Sequence, residues 1–305
     1  MPDPVLFAKA MIAAGAASAL LVAAGLLWSR PAGTVRSGVV WLLGLAVAIF
    51  VGTRLLNLSP HWPPRDGLDR LLFVILPAAF VVELIGRFPQ VPRWAIWTLR
   101  GGLAASAGRV LLHSSSYLDG SASDWTIGQI RIALVIAAGA LLAVWWVLDR
   151  LVQRSPGVSV SFALAGVCIA AGLALMLSGY ATGGQAALPL AAGLVGIAVA
   201  TLVLKTASPT PGVLGVGLVG LFGILILGRF FGELSTGRAI AIFVAPLLAW
   251  GAELSVLRNR KPWQIAAVRL ALVAIPLAVV LFLAQQDFAS KSAAAGADEY
   301  EMYNP

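Results

Sequence analysis

The chain has 305 residues, 60% of them hydrophobic and 11% charged, with a mean hydropathy of +0.92 and a formal net charge of +8. Soluble domains carry about 25% charged residues, so a soluble protein of this make-up could not cover its surface. A polytopic α-helical membrane protein follows, and a β-barrel is excluded because alternating strands of ~10 residues are missing.

Taken in order, the apolar runs predict about ten membrane spans, each near the ~20 residues that cross a ~30 Å hydrocarbon core. They cover 5–28, 37–56, 69–86, 94–113, 129–149, 158–180, 184–204, 212–232, 237–256 and 264–285. The first begins with Asp3 and runs apolar for over 20 residues, which reads as an uncleaved span and not as a signal peptide. The connections are short and rich in Pro, Gly and Ser, such as SRPAGTVRS and LSPHWPPRDGLD, so residues 1–286 read as one transmembrane domain. The acidic tail, 287–305, lacks apolar residues to bury and is expected to be disordered. Cys168 is the single cysteine, so no disulfide framework or cysteine metal site forms within the chain.

Basic residues set the expected orientation. Arg30, Arg36, Arg87, Arg93, Arg150, Arg154, Lys205, Arg258, Arg260 and Lys261 gather on one side, and Lys9, Arg65, Arg70, Arg131, Arg238 and Lys291 on the other. The first set is assigned to the cytoplasm, which puts both termini outside a bacterial-type inner membrane. The positive charge is read as a topology signal beside anionic lipid, with the bilayer as partner and no role for nucleic acid.

Six landmarks recur at separations of 168 to 170 residues: Arg70 with Arg238, Pro77 with Pro246, Glu83 with Glu253, Pro92 with Pro262, Trp94 with Trp263 and Arg100 with Arg269. They predict an internal repeat of four spans, repeat A over 1–118 and repeat B over 182–286, with a two-span insert over 119–181. A shift of six spans keeps both copies in one orientation, so the repeat is expected to be parallel. In size the chain is similar to the drug/metabolite transporter superfamily, but that superfamily has inverted repeats, and the even shift departs from its pattern.

Glu83 and Arg100 flank the turn near Val91 at nearly equal distance, which puts both about 12 Å in from the turn on antiparallel helices. Glu253 and Arg269 flank the second turn in the same way. An isolated charge at that depth is costly and pairing relieves it, so both are candidate buried ion pairs, either clasps or parts of a transport site. Arg54 and Arg229, at the outer ends of their spans, read as snorkelling side chains. Arg109 and His113 lie one helical turn apart near the outer face, and His61 lies in an outer loop; together they form a candidate outer polar cluster. Nearby acids, Asp66, Asp69, Asp119 and Asp124, are expected to be solvated.

The chain has no HExxH, nucleophile elbow, Walker loop or Rossmann glycine pattern. No catalytic residue, metal or cofactor is assigned, and the reading leans away from an enzyme. The leading expectation is a small-molecule or lipid transporter. A non-catalytic scaffold or assembly subunit is the alternative, and a lipid-modifying enzyme using the outer cluster is the weaker one.

Overall fold

A computed structural model describes residues 4–29, 34–119, 125–154, 157–205, 211–253 and 261–303. The chain is all-helical, 84% helix, with no strand among the described residues. The helices are α1 (Pro4–Ser29), α2 (Thr34–Leu55), α3 (Gly67–Arg70), α4 (Leu76–Ile85), α5 (Arg93–Leu111), α6 (Ile127–Arg154), α7 (Ser159–Leu177), α8 (Ala181–Val203), α9 (Pro211–Phe230), α10 (Thr236–Val244) and α11 (Pro262–Tyr303). Seven helices among the described residues are long and apolar enough to cross a membrane: those holding Val5–Trp28, Gly38–Leu55, Ile127–Arg154, Ser159–Leu177, Ala181–Val203, Gly212–Phe230 and Pro262–Ala293. This is the make-up of an integral membrane protein.

The other helical segments are interrupted or polar. A π-helical stretch, Leu71–Ile75, joins α3 to α4 just before Pro77, and a 3-10 stretch, Ala245–Glu253, extends α10 and contains Pro246. Proline offers no N–H to the carbonyl four residues back, and a wider or tighter turn absorbs the broken ladder. The regular spans read at 69–86 and 237–256 are therefore helices of mixed pitch. The third polar segment, α5, carries Arg93, Arg100 and Arg109.

The bundle is built around α9, which touches α2, α4, α5, α6, α7, α8 and α10 and is almost wholly buried. Around it lipid supplies no hydrophobic drive between helices, so close packing of small residues holds the assembly. The contact of α1 with α8 shows the scale: a Cβ on Gly196 would lie 2.3 Å from the Gly15 carbonyl oxygen.

α11 departs from the sequence reading. The tail expected to be disordered from residue 287 continues the helix through Tyr303. Alanine and other straight-chain residues dominate SKSAAAGADEYEM and favour helix intrinsically. Two ion pairs tie its start to the bundle, Arg238 to Asp287 at 2.6 Å and Lys291 to Glu233.

Candidate functional site

Four helix ends meet on one face: the end of α4, the start of α5, the end of α6 and the start of α9, with Gly38 at the start of α2 packed against Arg87. Between them lies a cavity of about 550 Å³ whose lining includes Glu83, Arg87, Arg93, Arg100, Asp149 and Arg150. Its walls include Trp97, Trp146 and Gly212. Four guanidiniums and two carboxylates line this cavity, a local balance of +2.

Glu83 and Arg100 form its inner floor. Arg100 donates from Nε to Glu83 Oε1 at 2.8 Å and from Nη2 to Oε2 at 3.0 Å. Its Nη1 faces Asp149 Oδ1 at 3.8 Å. The guanidinium lies between the rings of Trp97 and Trp145, 4.9 Å from each centroid. A two-pronged pair of this kind fixes orientation as well as charge. Both residues are buried, Glu83 at 2% and Arg100 at 6% exposure, so neither relies on solvent.

Arg87 sits above the pair. Its side chain lies against two glycines: a Cβ on Gly38 would come within 2.8 Å of Arg87 Cδ, and one on Gly212 within 2.2 Å of its Nη2. A Cβ on Gly215 would meet Glu83 at 2.9 Å. Glycine at these three places makes room for the charged heads. Arg87 Nε is buried with no hydrogen-bond acceptor. Burial presses the Arg87 guanidinium below its ordinary value; Glu83 opposes this, Arg100 adds to it and Asp149 opposes it. Among the described residues no carboxylate forms an ion pair with Arg87, Arg93 or Arg150. Arg150 lies over the Trp146 ring at 5.0 Å.

Glu253 and Arg269 also meet. Arg269 donates from Nη2 to Glu253 Oε1 at 2.5 Å and from Nη1 to Ser159 Oγ of α7. Arg269 is buried, but the Glu253 side chain is 28% exposed. The turn beyond it, with Arg258 and Arg260, lies outside the described residues, as do Arg30 and Asp124.

His61, Arg109 and His113 are all exposed, and no hydrogen bond or ion pair between described residues links them. His113 pairs through Nδ1 with the neighbouring Ser114 hydroxyl at 2.8 Å. Among the described residues no group of three His, Cys, Asp or Glu side chains is placed to hold a metal. One outer acid departs from the expected solvation: Asp69 is 3% exposed. It accepts from the backbone N–H of His61 and of Arg65, each at 3.0 Å, and so ties down the loop before α3. Its neighbour Arg70 donates to the carbonyl oxygens of His113 at 2.5 Å and Arg65 at 3.3 Å.

A second cavity of about 570 Å³ lies between α2 and α4. Leu42, Ala46, Phe73, Leu76 and Phe80 are typical of its lining, and its few polar groups include Thr53 and Arg54 at one end. Its lining is mainly apolar and offers almost no chemistry.

Sequence reasoning singled out Glu83 and Arg100 but took Arg87, Arg93 and Arg150 only as topology signals, and it did not single out Asp149. The available signal was Asp149 itself, an acid among the arginines of WWVLDRLVQR at a helix end. No protein-family model, curated protein or solved structure matches the chain. The site's chemistry therefore rests on its own geometry.

Proposed function

We propose that this protein is a polytopic carrier that binds a small solute or lipid headgroup in the arginine-lined cavity. The observation that carries the reading is the cavity itself, about 550 Å³ with four arginines and two acids in its lining. Buried intramembrane charge is expensive, and it commonly marks a substrate path. A clasp would need only Glu83 and Arg100; it would not need three further arginines facing a common space.

In this reading the chain makes about ten spans, with the broken helices through α4 and α10 and the polar α5 counted among them. The arginine-rich face is cytoplasmic and both termini are outside. Reporter fusions placed after Gln90 are expected to report cytoplasm and those after Asp66 the exterior. The opposite result at Gln90 would turn the cavity to the other side. The α3–α5 and α10–α11 hairpins are read as duplicates. Two features support this: both carry a Glu–Arg pair, and Arg70 and Arg238 each donate to a carbonyl oxygen on the opposing helix side, of His113 and of Leu283.

The functional test is flux. Purified protein in liposomes, recorded on a solid-supported membrane against panels of anionic, neutral and cationic solutes, is expected to pass one class. Glu83→Gln should abolish that signal. A scaffold would pass none in any panel. The solid packing around α9 favours that second reading, since among the described residues no polar path leads from Glu83 through the apolar core.

A further inference from the structure

We infer that the cavity takes an anion bearing a phosphate group, an inference that rests on the cavity being the ligand site proposed above. The argument begins with which guanidinium is already committed. Arg100 spends Nε and Nη2 on Glu83 and turns Nη1 to Asp149, and both its faces are covered by indole rings. It is the fixed floor of the site, with Nε and Nη2 already held by Glu83.

Glu83 spends both oxygens on Arg100, and Asp149 faces Arg100 with Oδ1 at 3.8 Å while its Oδ2 accepts from Gln153 Nε2 at 2.6 Å. Arg87, Arg93 and Arg150 therefore face the cavity with their charge uncompensated by an ion pair among the described residues. With two acids against four arginines the lining carries +2. A phosphate monoester carries about −1.5 to −2 at neutral pH and three strong acceptor oxygens. A single carboxylate would neutralise half of that charge. A cation would meet a lining of its own sign. Planar guanidiniums match phosphate edges with two parallel donors.

Topology arginines give a contrast. Such side chains need only reach the water at the membrane surface. Arg87 instead lies inward, pressed between Gly38 and Gly212, with a buried Nε that has no acceptor. The fold keeps a Cβ away from it on α2 and on α9. That arrangement aims a guanidinium into the cavity.

A phosphate group could arrive on a free solute or on an inner-leaflet lipid, and the test separates them. Full-length protein in a zwitterionic detergent–lipid mixture is titrated with inorganic phosphate against chloride at matched ionic strength, with melting temperature and calorimetric binding as readouts. A parallel arm replaces phosphate with phosphatidic acid nanodiscs, whose headgroup is a phosphate monoester, compared with phosphatidylcholine. Saturable binding of inorganic phosphate, weakened about 10- to 100-fold by Arg87→Gln, is the expected result, since a hydrogen bond to a charged group is worth about 1.5–3 kcal/mol. A shift seen only with phosphatidic acid and lost in Arg87→Gln upholds the inference with lipid as the source. Arg93→Gln, at the exposed rim, should weaken the same binding, and it guards against a folding defect in Arg87→Gln. No saturable shift in either arm, or equal shifts in wild type and both variants, overturns the inference. Saturable phosphate binding without flux of any solute would uphold it and sink the carrier reading. Flux of a neutral or cationic solute that phosphate does not inhibit would do the reverse.

Discussion

Glu83→Leu and Arg100→Leu are each expected to destabilise the purified protein more than the double variant Glu83→Leu/Arg100→Leu does. The pair is desolvated on both sides and doubly hydrogen-bonded. Removing one partner of such a pair costs about 3–5 kcal/mol because the other is left charged in a low-dielectric site. Here each survivor has a fallback. Arg100 keeps Asp149 at 3.8 Å and its two indole faces, and Glu83 keeps the field of Arg87. The single losses should therefore fall near the lower end, about 3 kcal/mol. Replacing both partners leaves apolar side chains that pack against Trp97 and Trp145, and the loss should be smaller than either single one. Thermal melts of the four proteins in one detergent close the cycle. Additive losses would show that the two residues do not depend on each other, and the floor of the cavity would then not be a unit.

The sequence made that pair legible because hairpin geometry is regular: equal spacing from a tight turn means equal depth, whatever the surrounding helices do. All-helical class and membrane residence were legible for a similar reason, since long apolar runs are a local property. Helix pitch was less so. Pro77 and Pro246 announced a disturbance, but whether the ladder widens to a π turn or tightens to a 3-10 stretch depends on packing that one strand of sequence does not display. The cavity itself was hidden because its walls come from α4, the turn after it, α5, α6 and α9. Arg87, Arg93 and Arg150 look like any charges at the ends of spans until Gly38 and Gly212 are seen to press on Arg87. The outer residues carried no comparable signal: His61, Arg109 and His113 are exposed, and no hydrogen bond or ion pair among the described residues links them. Composition misled at the tail as well, where polar residues continue a helix because alanine favours it and Asp287 and Lys291 are tied back to the bundle.

Asp69→Asn is expected to unfasten the loop before α3 and to lower stability by roughly 3–5 kcal/mol. The carboxylate is nearly inaccessible and spends one oxygen on the N–H of His61 and the other on that of Arg65. Hydrogen bonds to a charged group contribute about 1.5–3 kcal/mol each, and a buried donor left without its acceptor costs about 1–3 kcal/mol. Asparagine keeps the shape but turns one acceptor into an NH₂ group, which then faces a backbone N–H donor. It also removes the charge that faces the His61 ring at 3.9 Å. Asp66, whose exposed side chain caps α3 through the Asp69 N–H at 2.7 Å, is the comparison: Asp66→Asn keeps an acceptor there and should cost well under 1 kcal/mol. Amide hydrogen exchange reads the loop directly. In Asp69→Asn the His61 and Arg65 amides should lose protection while those of α9 keep theirs. Wild-type melting and unchanged exchange at both amides would show that the loop is held by other contacts, and that Asp69 is buried without fastening anything.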